Sequence, residues 1–81
     1  MMTKAVLTLK DEYLYMLNRD PETHIESLLG SDILSNIEWD DLDWNSIAGI
    51  IIVEVENFKQ FKKEIFSYSG HMFISVDEVR L

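Results

Sequence analysis

The sequence predicts a small α+β domain, a two-layer sandwich in which helices pack on one face of a mostly antiparallel sheet. Three observations lead to this fold class. The chain has 81 residues, of which 47% are hydrophobic, and this predicts a single domain over residues 1–81. Apolar runs rich in β-branched residues are interspersed with segments of helical spacing. The predicted order is strand, strand, helix, acidic segment, strand, helix, strand, which is typical of helices gathered on one face.

The first two predicted strands are Lys4 to Leu9 and Tyr13 to Leu17, joined by a polar break into a β-hairpin. The first run, KAVLTL, has the apolar and β-branched content of a strand. The second run, YLYML, is apolar throughout, and such a run also fits a helix from Asp11 to Asn18. With that helix the order becomes strand, helix, strand, helix, strand.

The first helix is predicted to begin at Pro21, because proline at the first helical position forfeits no hydrogen bond. Asp20 is expected to cap the free amides of the first turn. The apolar residues at helical spacing form its buried stripe: Ile25, Leu28 and Leu29. Gly30 then supplies the left-handed residue that ends many helices, and Ser31 or Asp32 begins a further short turn.

The second half of the chain predicts strand, helix, strand. Ile50 to Val55 is expected to be a central strand, because its first half has no polar face. Asn57 and Gln60 form a capping-box pattern at the start of a helix. The stripe of that helix consists of Phe58, Phe61, Ile65 and Tyr68. Ser69-Gly70 ends the helix, and His71 to Val76 is the final predicted strand.

Negative charge is concentrated in the middle of the chain. The net charge is −8, and no basic residue lies between Arg19 and Lys59. That interval contains ten acids: Asp20, Glu22, Glu26, Asp32, Glu38, Asp40, Asp41, Asp43, Glu54 and Glu56. This distribution disfavours direct binding to nucleic acid or to an anionic membrane. It favours a partner protein that has a basic surface.

The stretch NIEWDDLDWN, Asn36 to Asn45, combines four of these acids with both tryptophans. Its apolar residues alternate as in a strand, but the alternation slips by one residue at Asp40-Asp41. A bulge or tight turn at this point is predicted to bring both tryptophans to one side and to direct the acids to water. Trp44 and Phe73 are expected in the core, whereas the position of Trp39 is left open. The predicted partner-binding residues are Glu38, Trp39, Asp40, Asp41 and Asp43.

The sequence lacks the usual signatures of catalytic, metal and cofactor sites. It has no cysteine, no glycine-rich phosphate loop and no spaced pair of histidines. Asp41-x-Asp43-x-Asn45 opens like a calcium loop, but Ser46 and Ile52 stand where such a loop requires Gly and Glu. We therefore predict no catalytic residues, no metal ligands and no cofactor.

These features predict a small acidic, non-enzymatic protein-binding module, soluble and cytoplasmic, that acts as a regulator or inhibitor. Its acidic surface would dock on a basic site of a partner protein, and if that site normally holds nucleic acid, the module is a nucleic-acid mimic. The alternative is a structural or small-ligand-sensing α+β module, for which a homodimer is one possible form. The same acids also fit a solvated face that only keeps the protein dispersed.

Overall fold

The structure is a computed structural model that describes residues 2–79. It contains four strands and four helices. In chain order they are β1 (Thr3–Leu9), α1 (Tyr15–Asn18), α2 (Pro21–Leu29), α3 (Ser31–Leu34), β2 (Leu42–Asn45), β3 (Ile50–Val55), α4 (Phe58–Tyr68) and β4 (Phe73–Val79). Short 3₁₀ turns occupy Asp11–Tyr13, Trp39–Asp41 and Gly70–Met72. The predicted domain of residues 1–81 also includes positions 1, 80 and 81, which lie outside the described residues.

The four strands form one antiparallel sheet in the order β2-β3-β1-β4. β1 lies between β3 and β4, so that Leu7 is opposite Ile51 on one side and Val76 on the other. Because β3 and β4 both run antiparallel to β1, α4 connects two strands that are parallel to each other and separated by β1. The predicted α+β class with an antiparallel sheet is confirmed, and β3 is central as expected.

One face of the sheet is covered by the helices, and the residues between them form a single buried cluster. The strands contribute Ala5, Leu7, Leu9, Leu42, Ile51, Val53, Val55, Phe73 and Val76. The helices contribute Met16, Leu17, Ile25, Leu28, Leu29, Ile33, Phe61 and Ile65. A Val, Leu, Ile, Met or Phe side chain contributes roughly 1.5–3 kcal/mol when it is fully removed from water. Burial of this one cluster therefore holds the two layers together.

The predicted β-hairpin is wrong, since the chain after β1 turns into the helical layer instead. Tyr13, Leu14, Met16 and Leu17 all contact the core, whereas Tyr15 is exposed. This is the spacing of a helix face, and strict alternation in a strand cannot reproduce it. The alternative helix described the segment better, although its first turn is a 3₁₀ turn and α1 itself is short.

The predicted helix starts and caps are confirmed only in part. Pro21 begins α2 as predicted, but the Asp20 carboxylate makes no capping bond, because Asp20 has a left-handed backbone with a φ of 48°. At α4 the side chain of Asn57 accepts a hydrogen bond from the Gln60 amide at 3.1 Å, which confirms the predicted cap. The Gln60 side chain donates to Glu64 and does not complete the capping box.

The C-terminal elements differ from the prediction at their ends. Tyr68 is exposed rather than part of the buried stripe of α4. Its ring lies against Gly30, which ends α2 as predicted. Gly30 has the positive φ of a left-handed residue, 86°, but its ψ of 150° lies outside the left-handed helical region. The final strand begins at Phe73 and not at His71, because Gly70–Met72 forms a 3₁₀ turn. A bulge then interrupts the pairing of β4 with β1 near Leu9.

Ser69, directly after α4, is a polar side chain that is buried between two helices. Its hydroxyl donates a hydrogen bond to the backbone carbonyl of Leu28 in α2, 41 residues earlier in the chain. The bond satisfies a carbonyl in the last turn of α2, where helical partners are missing. It therefore ties the C-terminal ends of α2 and α4 together.

We expect Ser69→Ala to lower the free energy of unfolding by about 1–3 kcal/mol, because the buried Leu28 carbonyl loses its donor. Urea unfolding followed by circular dichroism measures the change. The matched control is Ser67→Ala, whose hydroxyl donates to the Lys63 carbonyl within its own exposed helix turn. That control should change stability by about 0.5 kcal/mol or less. Equal losses for the two variants would contradict the structural role of the buried bond.

Candidate functional site

The acidic segment, residues 38–43, lies at the β2 edge of the sheet. Trp39–Asp41 forms a 3₁₀ turn, and the Asp41 amide donates to the Glu38 carbonyl at 2.9 Å. Leu42 then starts β2 with its side chain in the core. The tight turn predicted at Asp40-Asp41 is therefore present, and it separates a strand from an irregular stretch rather than joining two strands.

The two tryptophans of this region have different environments. Trp44 stands opposite Ile51 in the sheet and packs against the core, as predicted. Trp39 lies in the turn before the strand and remains 47% exposed. The turn therefore does not bring both rings to the core side, since only Trp44 belongs to the strand. A half-exposed tryptophan at a sheet edge is the kind of side chain that anchors protein interfaces.

Trp39 is flanked in the sequence by the four carboxylates of the acidic segment. Glu38, Asp40 and Asp43 are exposed, and Asp41 is half-buried. Within residues 2–79 no salt bridge reaches any of them. Asp43 accepts one local hydrogen bond, from the Trp44 amide at 2.8 Å. The segment therefore presents uncompensated negative charge together with an apolar ring.

The opposite side of the sheet carries a second feature, which we call the uncovered face. Its strand residues are Lys4, Val6, Thr8, Asp43, Asn45, Ile50, Ile52, Glu54, Ser75, Asp77 and Val79. None of these residues is fully buried, because the helices of the described chain all pack on the other side. Asp43 belongs both to this face and to the acidic segment, so the two features are continuous.

Of the predicted partner-binding residues, only Asp43 lies on the uncovered face, and the rest of that face was missed. The sequence does indicate an apolar residue on this face, because the run Ile50 to Ile52 contains no polar residue. That pattern was interpreted as a strand buried on both sides. The structure shows that Ile51 is buried, whereas Ile50 and Ile52 are only partly covered. The correct interpretation is an apolar surface that lacks a covering layer.

A cleft of about 930 Å³ lies between the helices, on the side of the molecule where α3 meets α4. Its lining includes Ser31, Asn57, Lys59, Lys63 and Tyr68. A smaller cleft of about 460 Å³ adjoins it and shares part of the lining. The smaller cleft lies where α4 meets the sheet, because its lining includes Val55 of β3 together with Gln60 and Phe61 of α4. A pocket in this position is what a small-ligand-sensing module would require, and that alternative stays a prediction. Among the described residues, no group of three or more His, Asp or Glu side chains is arranged to hold a metal ion.

The fold and the site together define a class: a small α+β domain with an antiparallel sheet, one face of which is left uncovered beside an acidic edge. Comparison with protein-family models, with curated proteins and with solved structures found no match to this chain. Over residues 2–79, none of the helices has the length and apolar character needed to cross a membrane.

Proposed function

We propose that this protein is a small acidic, non-enzymatic protein-binding module of the cytoplasm. It acts as a regulator or inhibitor by docking its acidic segment on a basic site of a partner protein. The observation that carries the proposal is the half-exposed Trp39 among four carboxylates that have no salt bridge within the described chain. A solvated face requires the charges but gives no reason for the exposed ring.

The two kinds of side chain have separate roles in such an interface. Long-range attraction between the acids and a basic site raises the association rate and selects the partner. The Trp39 ring, once desolvated, holds the complex together and lowers the dissociation rate. When the basic site is one that normally binds nucleic acid, the same surface makes the protein a nucleic-acid mimic. This form of the proposal rests on charge alone.

The test of the proposal is a four-site variant, in which Glu38→Gln, Asp40→Asn, Asp41→Asn and Asp43→Asn remove charge and preserve shape. Proteins captured from a lysate of the source cells by the parent chain are identified, and their association kinetics are measured across a salt series. We expect the variant to associate about tenfold or more slowly at low salt, with the difference shrinking as salt screens the parent.

The matched control removes the same number of charges from the helical side of the molecule. It carries Asp11→Asn, Glu12→Gln, Glu22→Gln and Glu26→Gln, all at exposed positions. The control should associate nearly as fast as the parent, because these acids are remote from the acidic segment in the sequence and lie in another layer. Identical kinetics for the parent and the four-site variant at every salt concentration would overturn the proposal.

A further inference from the structure

We infer that the uncovered face of the sheet binds an amphipathic helix of the partner, one whose apolar stripe is flanked on both sides by Lys or Arg. This inference rests on the proposed protein-binding function and specifies the class of partner. The helix would supply the layer that the sheet lacks on this side. The acidic segment would contact basic residues beside that helix.

The first argument is the apolar centre of the uncovered face. Val6 and Ile52 are paired across the two inner strands, and Ile50 follows on the same side of β3. An antiparallel sheet that faces water normally carries polar residues on its solvent side. Here the middle of that side is aliphatic. On the edge strand β4 the apolar surface continues with Val79, which is opposite Lys4 and 46% exposed.

The second argument is the position of the charges around that centre. The cross-strand pairs place four residues in one row: Asp43, Ile52, Val6 and Asp77. The backbones of Asp43 and Asp77 at its ends are three strand spacings apart, about 14 Å. An α-helix with its side chains is roughly 10–12 Å across. A helix lying along the inner strands therefore fits between the two carboxylates and places its flanking basic residues within reach of them.

The same charges argue against other occupants. A second copy of the chain, packed through this face, would bring Asp43, Asp77 and Glu54 against their equivalents, with Lys4 as the one basic residue of the face. Each copy also carries a net charge of −8, which opposes self-association. A partner strand added at the edge of β2 or β4 would pair with backbone and leave Val6 and Ile52 uncovered.

The test uses two synthetic peptides of about 18 residues, or five helical turns. One places Leu at helical spacing with Lys on both flanks, and the other has the same composition in scrambled order. We expect the amphipathic peptide to bind the full chain about tenfold or more tightly than the scrambled peptide. Fluorescence anisotropy measures the affinities. Amide shifts in ¹⁵N-correlated NMR spectra should change mainly in β1 and β3.

The matched protein variants remove apolar surface without changing β-propensity. Val6→Thr combined with Ile52→Thr should weaken binding of the amphipathic peptide about tenfold. The control is Ile47→Thr, an exposed residue in the β2–β3 turn that lies outside the uncovered face. It should bind the peptide as the parent does.

Three outcomes would overturn the inference. The two peptides bind equally, the double threonine variant binds like the parent, or sedimentation shows a parent dimer that the double variant abolishes. None of these outcomes affects the proposed function if the four-site variant still associates more slowly than the parent with the captured partner. Conversely, unchanged kinetics for the four-site variant would overturn the proposed function, even where the peptide binds the uncovered face.

Discussion

Phe61→Ala is expected to lower the free energy of unfolding by about 3–5 kcal/mol. The Phe61 side chain is 6% exposed and projects from α4 into the buried cluster. Truncation removes the ring from the core and leaves a cavity that the sheet and the helices cannot fully close. Since small domains have a total stability of about 5–15 kcal/mol, this variant loses a large part of it.

Phe66→Ala is the matched control for Phe61→Ala, because it removes the same ring from the same helix. The Phe66 ring is 49% exposed, and the Nζ of Lys62 lies 5.8 Å from the ring centre. Its loss should cost about 1 kcal/mol or less. Urea unfolding of both variants measures the difference. If both unfold at the same urea concentration, α4 does not bury the face that contains Phe61.

Gly49→Ala is expected to destabilise the fold by roughly 2–5 kcal/mol through two effects. Gly49 has a φ of 70°, a left-handed conformation that is costly for a residue with a Cβ. A Cβ at this position would also overlap the Cδ2 of Leu14. Hydrogen bonds stabilise this turn. The side-chain oxygen of Asn45 accepts hydrogen bonds from the amides of Ile47 and Ala48, and the Leu9 amide donates one to the Gly49 carbonyl.

The comparison for Gly49→Ala is Gly70→Ala. At Gly70 the φ is not positive, and the atoms nearest to a new Cβ belong to the half-exposed side chain of Phe66. We therefore expect Gly70→Ala to lower the free energy of unfolding, measured by thermal unfolding, by less than half as much as Gly49→Ala does. If Gly49→Ala lowers the stability less than Gly70→Ala does, the β2–β3 turn accommodates a Cβ at Gly49 without strain.

The elements that were predicted correctly are those in which local signals and tertiary packing agree. The α4 helix has its predicted side-chain cap at Asn57 and its predicted end at Ser69, and its apolar stripe is buried at Phe61 and Ile65 although not at Tyr68. The segment YLYML gave no such agreement, because a continuous apolar run fits a strand and a helix equally well. Its structure depends on contacts with the rest of the core. The Ser69 bond to Leu28 was likewise unpredictable, since it joins residues far apart in the sequence.

The candidate site was predicted only where the sequence itself is unusual. The acids and tryptophans of Asn36 to Asn45 are conspicuous, and the tight turn between them follows from the slip in alternation. The uncovered face depends instead on which strands become neighbours. Val6 meets Ile52 and Asp77 only because β1 lies between β3 and β4, and no local pattern specifies that strand order.

The central position of β1 also has a consequence for folding during protein synthesis. Val6 pairs with Ile52 on one side and with Asp77 on the other, 71 residues later in the chain. At a translation rate of about 5–20 residues per second, β1 is synthesised about 4–14 s before its last partner. Pairings this distant in sequence also form slowly in the completed chain. Although β1 precedes the other strands of this sheet in the chain, it is thus the last of them to have both of its edges protected, and until then it is exposed to chaperones and to other nascent chains.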